Sequence, residues 1–278
     1  MSKDSNLKIS VILPVYNANI EQLRLAIDSI INQTYKQFEF IILDDGSTNK
    51  CFNILNEYND NRIVKYVNKK NLGLIKTLNI GLQIAKGEYI IRMDSDDISA
   101  KDRIEKQLKF INNNPKYDII GTRAYFFDEN GVFGESKLKG EINKNEFSKG
   151  TPFIHPSLLI KRKKILEIGG YKECLRCEDY VMEMEMYING SIGYIIDEKL
   201  LYYRLDNNCY KKKKNKDRLI ELKVKIKYFY KLKLAWIYYI YSFKPILSMI
   251  VPGGILQNYH KFKFKIIGGY INENNNNS

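Results

Sequence analysis

The chain has 278 residues, 44% of them hydrophobic and 28% charged, which is enough apolar material for one large α/β domain, or a domain with an appendage, and is not the composition of a disordered chain. Its formal net charge of +13 is unevenly spread: Tyr210 to Ser278 carries 15 Lys+Arg against 3 Asp+Glu, and the preceding residues carry 30 against 29. Four cysteines (Cys51, Cys174, Cys177, Cys209) in a chain of this size do not make a disulfide scaffold, so reduced thiols are expected. The lone C-x-x-C lacks the second pair that a zinc site needs. The opening MSKDSNLKIS has no apolar signal-peptide core, which points to a cytoplasmic protein.

Ile9 to Leu13 is an apolar run closed by Pro14, as at the end of a strand. Ile20, Leu23, Ile27, Ile30 and Ile31 follow at helical spacing. Phe38 to Leu43 reads as a second buried strand ending in Asp44-Asp45-Gly46, with Ser47 or Thr48 able to cap a helix through Phe52, Leu55 and Tyr58. Ile63 to Val67 is a third strand, then Asn71-Leu72-Gly73 and a helix through Leu74, Leu78, Leu82 and Ala85 that stops at Gly87. A β-branched run, Tyr89 to Ile91, then meets Asp94, Asp96 and Asp97.

Alternating strands and helices with near-continuous apolar strands predict a mostly parallel sheet covered on both faces. Right-handed crossovers bring Pro14–Asn17, Asp44–Ser47 and Asp94–Asp97 to one rim, the edge where open α/β sheets bind ligands. Asp-x-Asp offers hard oxygens to Mg²⁺ or Mn²⁺, and the same residues also suit a solvated acidic turn or a helix N-cap. Three acids in four residues are costly to hold unless positive charge lies between them. There is no G-x-G-x-x-G after the first strand and no G-x-x-x-x-G-K-[ST], which argues against dinucleotide and P-loop folds.

From Tyr117 the pattern becomes mixed α+β: Ile119 to Phe127 as a strand, Asp128 to Gly131 as a turn, and Val132-Phe133 as its return. Ser157 to Ile160 is a strand opened by His155-Pro156, and Glu178-Asp179 begin a helix running to about Asn189. Ile192 to Ile196 and Leu200 to Leu205 read as two last strands. Residues 1–97 form a nucleotide-sized half and 98–209 an acceptor-facing half, followed by a basic tail over 210–278. In that tail Lys223, Lys227 and Lys231 recur at helical spacing among Tyr228, Phe229, Tyr230 and Trp236. The apolar stretch Leu234 to Val251 is broken at Lys244-Pro245 after ten residues, too few to span a bilayer, and as a kinked span of 18 it is borderline. Such a helix either lies in the headgroup layer of an anionic membrane or packs on the domain with a solvated lysine face. No nucleic-acid motif accompanies the charge, and Asn272 to Asn277 reads as a disordered end.

Taken in order, SVILPVYN, LDDGST, NLGL, YIIRMDSDD, HPS and Cys177-Glu178-Asp179-Tyr180 resemble the family 2 glycosyltransferases of the GT-A fold, over roughly Lys8 to Asp206. The resemblance implies an inverting transfer of one sugar from a nucleotide diphosphate sugar, most often UDP-linked, with Mn²⁺ or Mg²⁺, to a hydroxyl of a glycan or lipid-linked acceptor in surface polysaccharide synthesis. By the same resemblance Pro14, Tyr16 and Asn17 surround the base, Asp45 accepts from the uracil ring beside Asp44, and Asn71 lies near base and ribose. Arg92 pairs with the acids or with phosphate. Asp94, Ser95 and Asp96 meet the metal and ribose, Asp94 and Asp96 being the metal ligands, and Asp97 assists them or caps a helix. Asp179 is the general base; without the upstream motifs, Glu178-Asp179 are also ordinary acids at a helix N-terminus. His155 is an acceptor-side contact or a structural anchor, and Arg204 reaches the phosphates or is a surface arginine. Tyr180 is followed by Val181-Met182 where relatives carry a further acid and tryptophan, so the acceptor wall differs. The Q-x-x-R-W signature of processive relatives is missing, which favours one sugar per encounter. The rivals are a catalytically inactive glycan-binding or scaffold protein of the same fold, and a nucleotidyltransferase, whose glycine-rich N-terminal loop is absent.

Overall fold

The structure is a computed structural model describing residues 8–174, 177–205 and 215–246. The start MSKDSNL, Cys209, Lys211 to Lys214, the stretch from 247 onward and Asn272 to Asn277 lie outside the described residues.

The first half runs β1 (Ile9–Val15), α1 (Ile20–Ile31), β2 (Phe38–Asp44), a 3₁₀ helix (Cys51–Glu57), β3 (Ile63–Val67), α2 (Leu74–Ile84) and β4 (Tyr89–Arg92). The second continues with β5 (Ile98–Ser99), α3 (Arg103–Asn113), β6 (Ile119–Asp128), β7 (Gly131–Glu135) and β8 (Gly140–Ile142). Then come β9 (Leu159–Lys161), α4 (Arg162–Glu167), α5 (Glu178–Ile188), β10 (Gly193–Arg204) and α6 (Asn215–Lys231). The ten strands among the described residues join one sheet, ordered β3-β2-β1-β4-β9-β6-β10-β5, with β7 beside β6 and β8 beside β10. β3, β2, β1 and β4 are mutually parallel, and β9 enters antiparallel to β4. The α/β architecture expected from the sequence is therefore present, its two halves merged into one sheet.

Every residue of β1, β2 and β4 is buried, because helices cover both faces there. One face packs Ile12, Ile41 and Leu43 against Leu78 and Leu82 of α2; the other packs Val11, Leu13 and Phe40 against Leu23 and Ile27 of α1. Gly81 lets α2 lie close to β1, since a Cβ there would stand 2.9 Å from Ile12 Cγ2. Asn19 caps α1, its side-chain oxygen accepting from the N–H groups of Glu21 (3.0 Å) and Gln22 (3.2 Å).

Pro14 lies near the end of β1, as expected, buried and paired with Leu43; pairing with β4 stops at Ile12, so no bond on that side is lost. Four sequence expectations change. β3 is the sheet edge, paired only with β2, and Val67 is 57% exposed. The segment at Phe52 is a 3₁₀ helix entered through a left-handed Lys50 (φ 57°), and Ser47 and Thr48 serve Asn17 instead of capping it. The two last strands are one, β10, whose polar Asp197-Glu198 sits in an irregularity of register beside β6. Cys174 and Cys177, expected as reduced thiols, are joined as a disulfide, their Cα atoms 5.8 Å apart across the entry to α5; Cys51 is free and buried.

Candidate active site

β4 ends at Arg92, which is fully enclosed, and the chain turns at once into Asp94, Ser95, Asp96 and Asp97. Arg92 Nη2 pairs with Asp94 Oδ1 at 2.5 Å and Nη1 donates to the Met93 carbonyl, while Nε has no partner among the described residues. Behind it Arg103, also fully buried, donates from Nη2 to the Arg92 carbonyl (3.1 Å) and from Nε to Gln107 Oε1 (3.0 Å). Arg204 closes the other side: its N–H reaches Asp97 Oδ1 (2.8 Å), Nε reaches the Asp96 carbonyl (2.9 Å), and its guanidinium lies over the Phe127 ring. Three arginines thus offset three aspartates, the compensation such a cluster needs. Burial and the neighbouring Asp94 still push Asp96 up to about 6. Burial, with Asp94 and Asp96, raises Asp97 well above the usual carboxylate range, and its Oδ2 is enclosed without a partner among the described residues.

The acid loop is fixed from outside by side chains that look unremarkable in sequence. Gln33 donates to the carbonyls of Ser29 (2.8 Å) and Ala100 (2.7 Å) and accepts from the Ile104 N–H (3.0 Å). Gln107 donates to the carbonyls of Ile120 (3.0 Å) and Ser157 (2.9 Å), tying α3 to the centre of the sheet.

At the β1–β2 rim Tyr16 is 51% exposed, as a stacking residue would be. Asn17, in the left-handed region (φ 46°), is a clamp: its Oδ1 accepts from the N–H groups of Thr48 (2.8 Å) and Asn49 (3.2 Å), and its N–H donates to Ser47 Oγ (2.9 Å). Asp44 is buried and caps the turn, Oδ1 accepting from the Ser47 N–H at 3.0 Å. Asp45 is buried too, and both its oxygens are engaged. Oδ1 accepts from Asn68 Nδ2 and the Leu72 N–H, and Oδ2 from the Gly73 N–H, all at 2.8 Å. That leaves about one of four acceptor positions open, so Asp45 is first a brace for the loop entering α2. Asn71 and Lys70 are exposed on this loop, and Gly46 (φ +71°) is pressed against it, where a Cβ would stand 2.6 Å from the Lys70 carbonyl carbon.

Across the sheet, α5 begins at Glu178-Asp179, with Asp179 Oδ1 accepting its neighbour's N–H (Tyr180, 2.7 Å). Burial, with Asp179 and Asp94 nearby, raises Glu178. His155 Nε2 lies 2.8 Å from the Tyr171 hydroxyl, and burial beside Arg92 holds the imidazole well below its ordinary value, hence neutral. Tyr171 is held in turn by Asn79, which bonds both its N–H and its carbonyl at 2.9 Å.

These parts meet. A cavity of about 350 Å³ is bordered by Arg92, Asp94, His155, Glu178, Asp179 and Tyr203 among others. Leu74, Glu178 and Asp179 also border an adjoining space of about 780 Å³ with Leu72, Gly73, Lys76 and Cys174. Asp94, Asp179 and His155 share one wall system, and Asp45 reaches it through the backbone of Leu72 and Gly73. Pro14, Tyr16, Asn17, Asp44, Asn71, Ser95, Asp96 and Arg204 do not border either cavity directly. Among the described residues no group of three His, Cys, Asp or Glu side chains is arranged to hold a metal alone. Sequence reasoning missed Arg103, Gln33, Gln107, Asn68 and Tyr171. None has a local signal, because each acts through partners distant in sequence.

A mixed sheet whose parallel strands deliver an acid turn, opposite a helix that begins with two carboxylates, has the GT-A-type fold. The glycosyl transferase family 2 profile matches residues 10–169, and the chain belongs to that family; it is a glycosyltransferase. It is 33% identical over 264 residues to EpsE of Bacillus subtilis, which carries a glycosyltransferase name, covering 93% of this chain and 95% of that one. It is 37% identical over 206 residues to an uncharacterized glycosyltransferase of Methanocaldococcus jannaschii, covering 72% and 71%. Among solved structures, S. aureus TarS 1-349 in complex with UDP-GlcNAc shares the fold at TM-score 0.70 and 19% identity, covering 92% of this chain and 78% of that one. The mannosyltransferase PcManGT of Pyrobaculum calidifontis, in complex with GDP-Man and Mn²⁺, does so at TM-score 0.59 and 16% identity, covering 92% and 80%.

Proposed function

We propose that the protein is an inverting, metal-assisted transferase that moves one sugar from a nucleotide diphosphate sugar, UDP-linked, to a hydroxyl of a glycan or lipid-linked acceptor in surface polysaccharide synthesis. The observation that supports this most is that Asp94 and Asp179, 85 positions apart in the chain, border the same cavity of about 350 Å³. The UDP-GlcNAc of the TarS complex and the GDP-Man and Mn²⁺ of the PcManGT complex supply the ligand class.

Asp94 and Asp96 would hold Mn²⁺ or Mg²⁺, being a pair of hard-oxygen donors of the kind these cations take. The fit is supported by Asp97 Oδ2, a buried carboxyl oxygen without a partner among the described residues, next to them in the acid turn. When bound, the cation stabilises charge on the departing diphosphate. The other roles belong to the chain. Arg92, locked on Asp94, orients that carboxylate, and Arg204 adds positive charge on the phosphate side. Tyr16 stacks on the base, with Asn17, Asp44 and Asp45 shaping the rim and Asn71 near the ribose. Asp179 accepts the proton of the acceptor hydroxyl as its oxygen bonds to the anomeric carbon and the bond to the diphosphate breaks on the opposite face. Neutral His155, held by Tyr171, lines the acceptor side with Glu178.

The test is titration calorimetry of UDP and GDP with and without Mn²⁺, on the wild type and Asp96→Ala. Mn²⁺ should tighten UDP binding to the wild type, and the substitution should remove that gain at least tenfold. Unchanged metal-dependent affinity in Asp96→Ala would contradict the metal role.

A further inference from the structure

The exterior of the C-terminal segment does not match a simple solvated helix. α6 packs its Tyr228 and Phe229, with Leu232 just beyond its end, into the main core, Tyr228 Oη donating to Glu185 Oε1 at 2.8 Å and Lys231 Nζ pairing with the same carboxylate at 3.1 Å. Lys144 Nζ donates to the Leu232 carbonyl at 3.0 Å. The opposite stripe, Leu219, Lys223, Ile226, Lys227 and Tyr230, is exposed at helical spacing. Beside it a 3₁₀ helix, Trp236–Phe243, turns Tyr239 inward onto Phe229 and leaves Trp236 (83% exposed), Ile237, Ile240 and Phe243 outside. Lys233 and Lys244 flank that apolar edge, and both are exposed.

A soluble surface rarely shows so many large apolar side chains together. Lysines interleaved with an exposed Trp, Tyr and Ile set are the chemistry of an interfacial element on an anionic bilayer, with apolar tips entering the acyl boundary and ammonium groups meeting headgroup phosphates. Among the described residues no helix is long and apolar enough to cross a membrane, so the contact is with its surface. We infer that this exterior, Leu219 to Lys244, is a docking surface for an anionic phospholipid bilayer. The segment is bonded to Glu185 of α5, the helix that carries Asp179 in its first turn, so docking fixes the base relative to the bilayer. The acceptor is then a sugar carried on a lipid; that clause rests on the transferase reading, whereas the docking itself does not.

Trp236 is the sole tryptophan of the chain, which makes it the probe. Full-length protein is titrated with vesicles of equal phosphatidylglycerol and phosphatidylcholine, and with phosphatidylcholine alone. Anionic vesicles should shift Trp236 emission to the blue, with quenching by brominated acyl chains, at an affinity at least tenfold above that for neutral vesicles, and 0.5 M salt should reverse most of it. Ile237→Ser/Ile240→Ser and Lys223→Glu/Lys227→Glu should each lower vesicle affinity at least tenfold while UDP affinity stays unchanged, which also reports an intact fold. No blue shift with anionic vesicles would overturn the proposal. So would a shift that follows protein concentration without lipid, because a second copy would then cover the face. In a membrane lipid extract, the docking variants should transfer sugar at least tenfold more slowly, and an unaltered rate would overturn the lipid-borne acceptor. Wild type that docks but binds no nucleotide would refute the transferase reading and leave the docking standing.

Discussion

Replacing Asp45 with alanine separates two roles that one carboxylate cannot fill equally. The side chain receives three hydrogen bonds, from Asn68 Nδ2 and from the N–H groups of Leu72 and Gly73, each at 2.8 Å. Asn68 is buried and retains Thr77 Oγ1 (3.0 Å) as its other side-chain partner, so one amide N–H would be left without an acceptor, a loss of about 2 kcal/mol. Leu72 and Gly73 are only half-buried, and water replaces part of their bonds, which leaves about 1 kcal/mol each. The sum, about 4 kcal/mol, is a large share of a typical stability of roughly 5–15 kcal/mol but does not exceed it, so the variant folds. It should melt roughly 8–16 °C lower. Asp45→Asn keeps an oxygen for Asn68 and Leu72 and sets an N–H against that of Gly73, so its loss is about half as large. Urea unfolding and UDP calorimetry on both variants decide the matter. A near-normal melting temperature with UDP affinity reduced more than tenfold would refute the brace and return Asp45 to direct contact with the base.

Further outcomes follow from the same geometry. Gly46→Ala combines a left-handed φ of +71° with a Cβ 2.6 Å from the Lys70 carbonyl carbon, so it should lower stability by about 2–3 kcal/mol and weaken nucleotide binding, read by urea midpoint and calorimetry. His155 is held neutral, its value depressed below the ordinary 6.5 mainly by burial. The unfolded chain therefore takes up the proton first, and stability should fall as pH drops below about 6.5, by about 1.4 kcal/mol per unit until the folded-state value is reached. His155→Gln should remove that slope in unfolding titrations. Glu183 is fully buried on α5, both oxygens lack partners among the described residues, and burial raises its value well above 4.5. The sign is opposite to that of His155: holding it protonated costs more as pH rises above about 4.5, so Glu183→Leu should gain stability relative to wild type between pH 5 and pH 8.

The features legible in the sequence were those carried by contiguous residues. Apolar runs ending in carboxylates located β2, β4 and the acid turn, and Glu178-Asp179 located the start of α5, because strand and helix boundaries are local events. What stayed hidden depends on distant partners. Arg92 and Arg103 look like surface charges until the fold encloses them behind Asp94 and Asp97. Tyr171 gains its role only from Asn79 and His155. α4, Arg162–Glu167, carries three cationic residues in six positions and shows no apolar period, so nothing marks it as a helix. β10 looks interrupted because Asp197 and Glu198 point to Arg123, Lys139 and Lys106 at an irregular stretch of the strand.

The central claim is that Asp179 removes the acceptor's proton across a cavity whose other wall carries Asp94. The direct measurement is release of nucleoside diphosphate from a UDP-sugar in membrane lipid extract, compared between wild type and Asp179→Asn, with UDP and Mn²⁺ affinity recorded on the same samples. The account predicts unchanged binding and a rate lower by about 10²–10⁴-fold. Transfer at the wild-type rate by Asp179→Asn would contradict it.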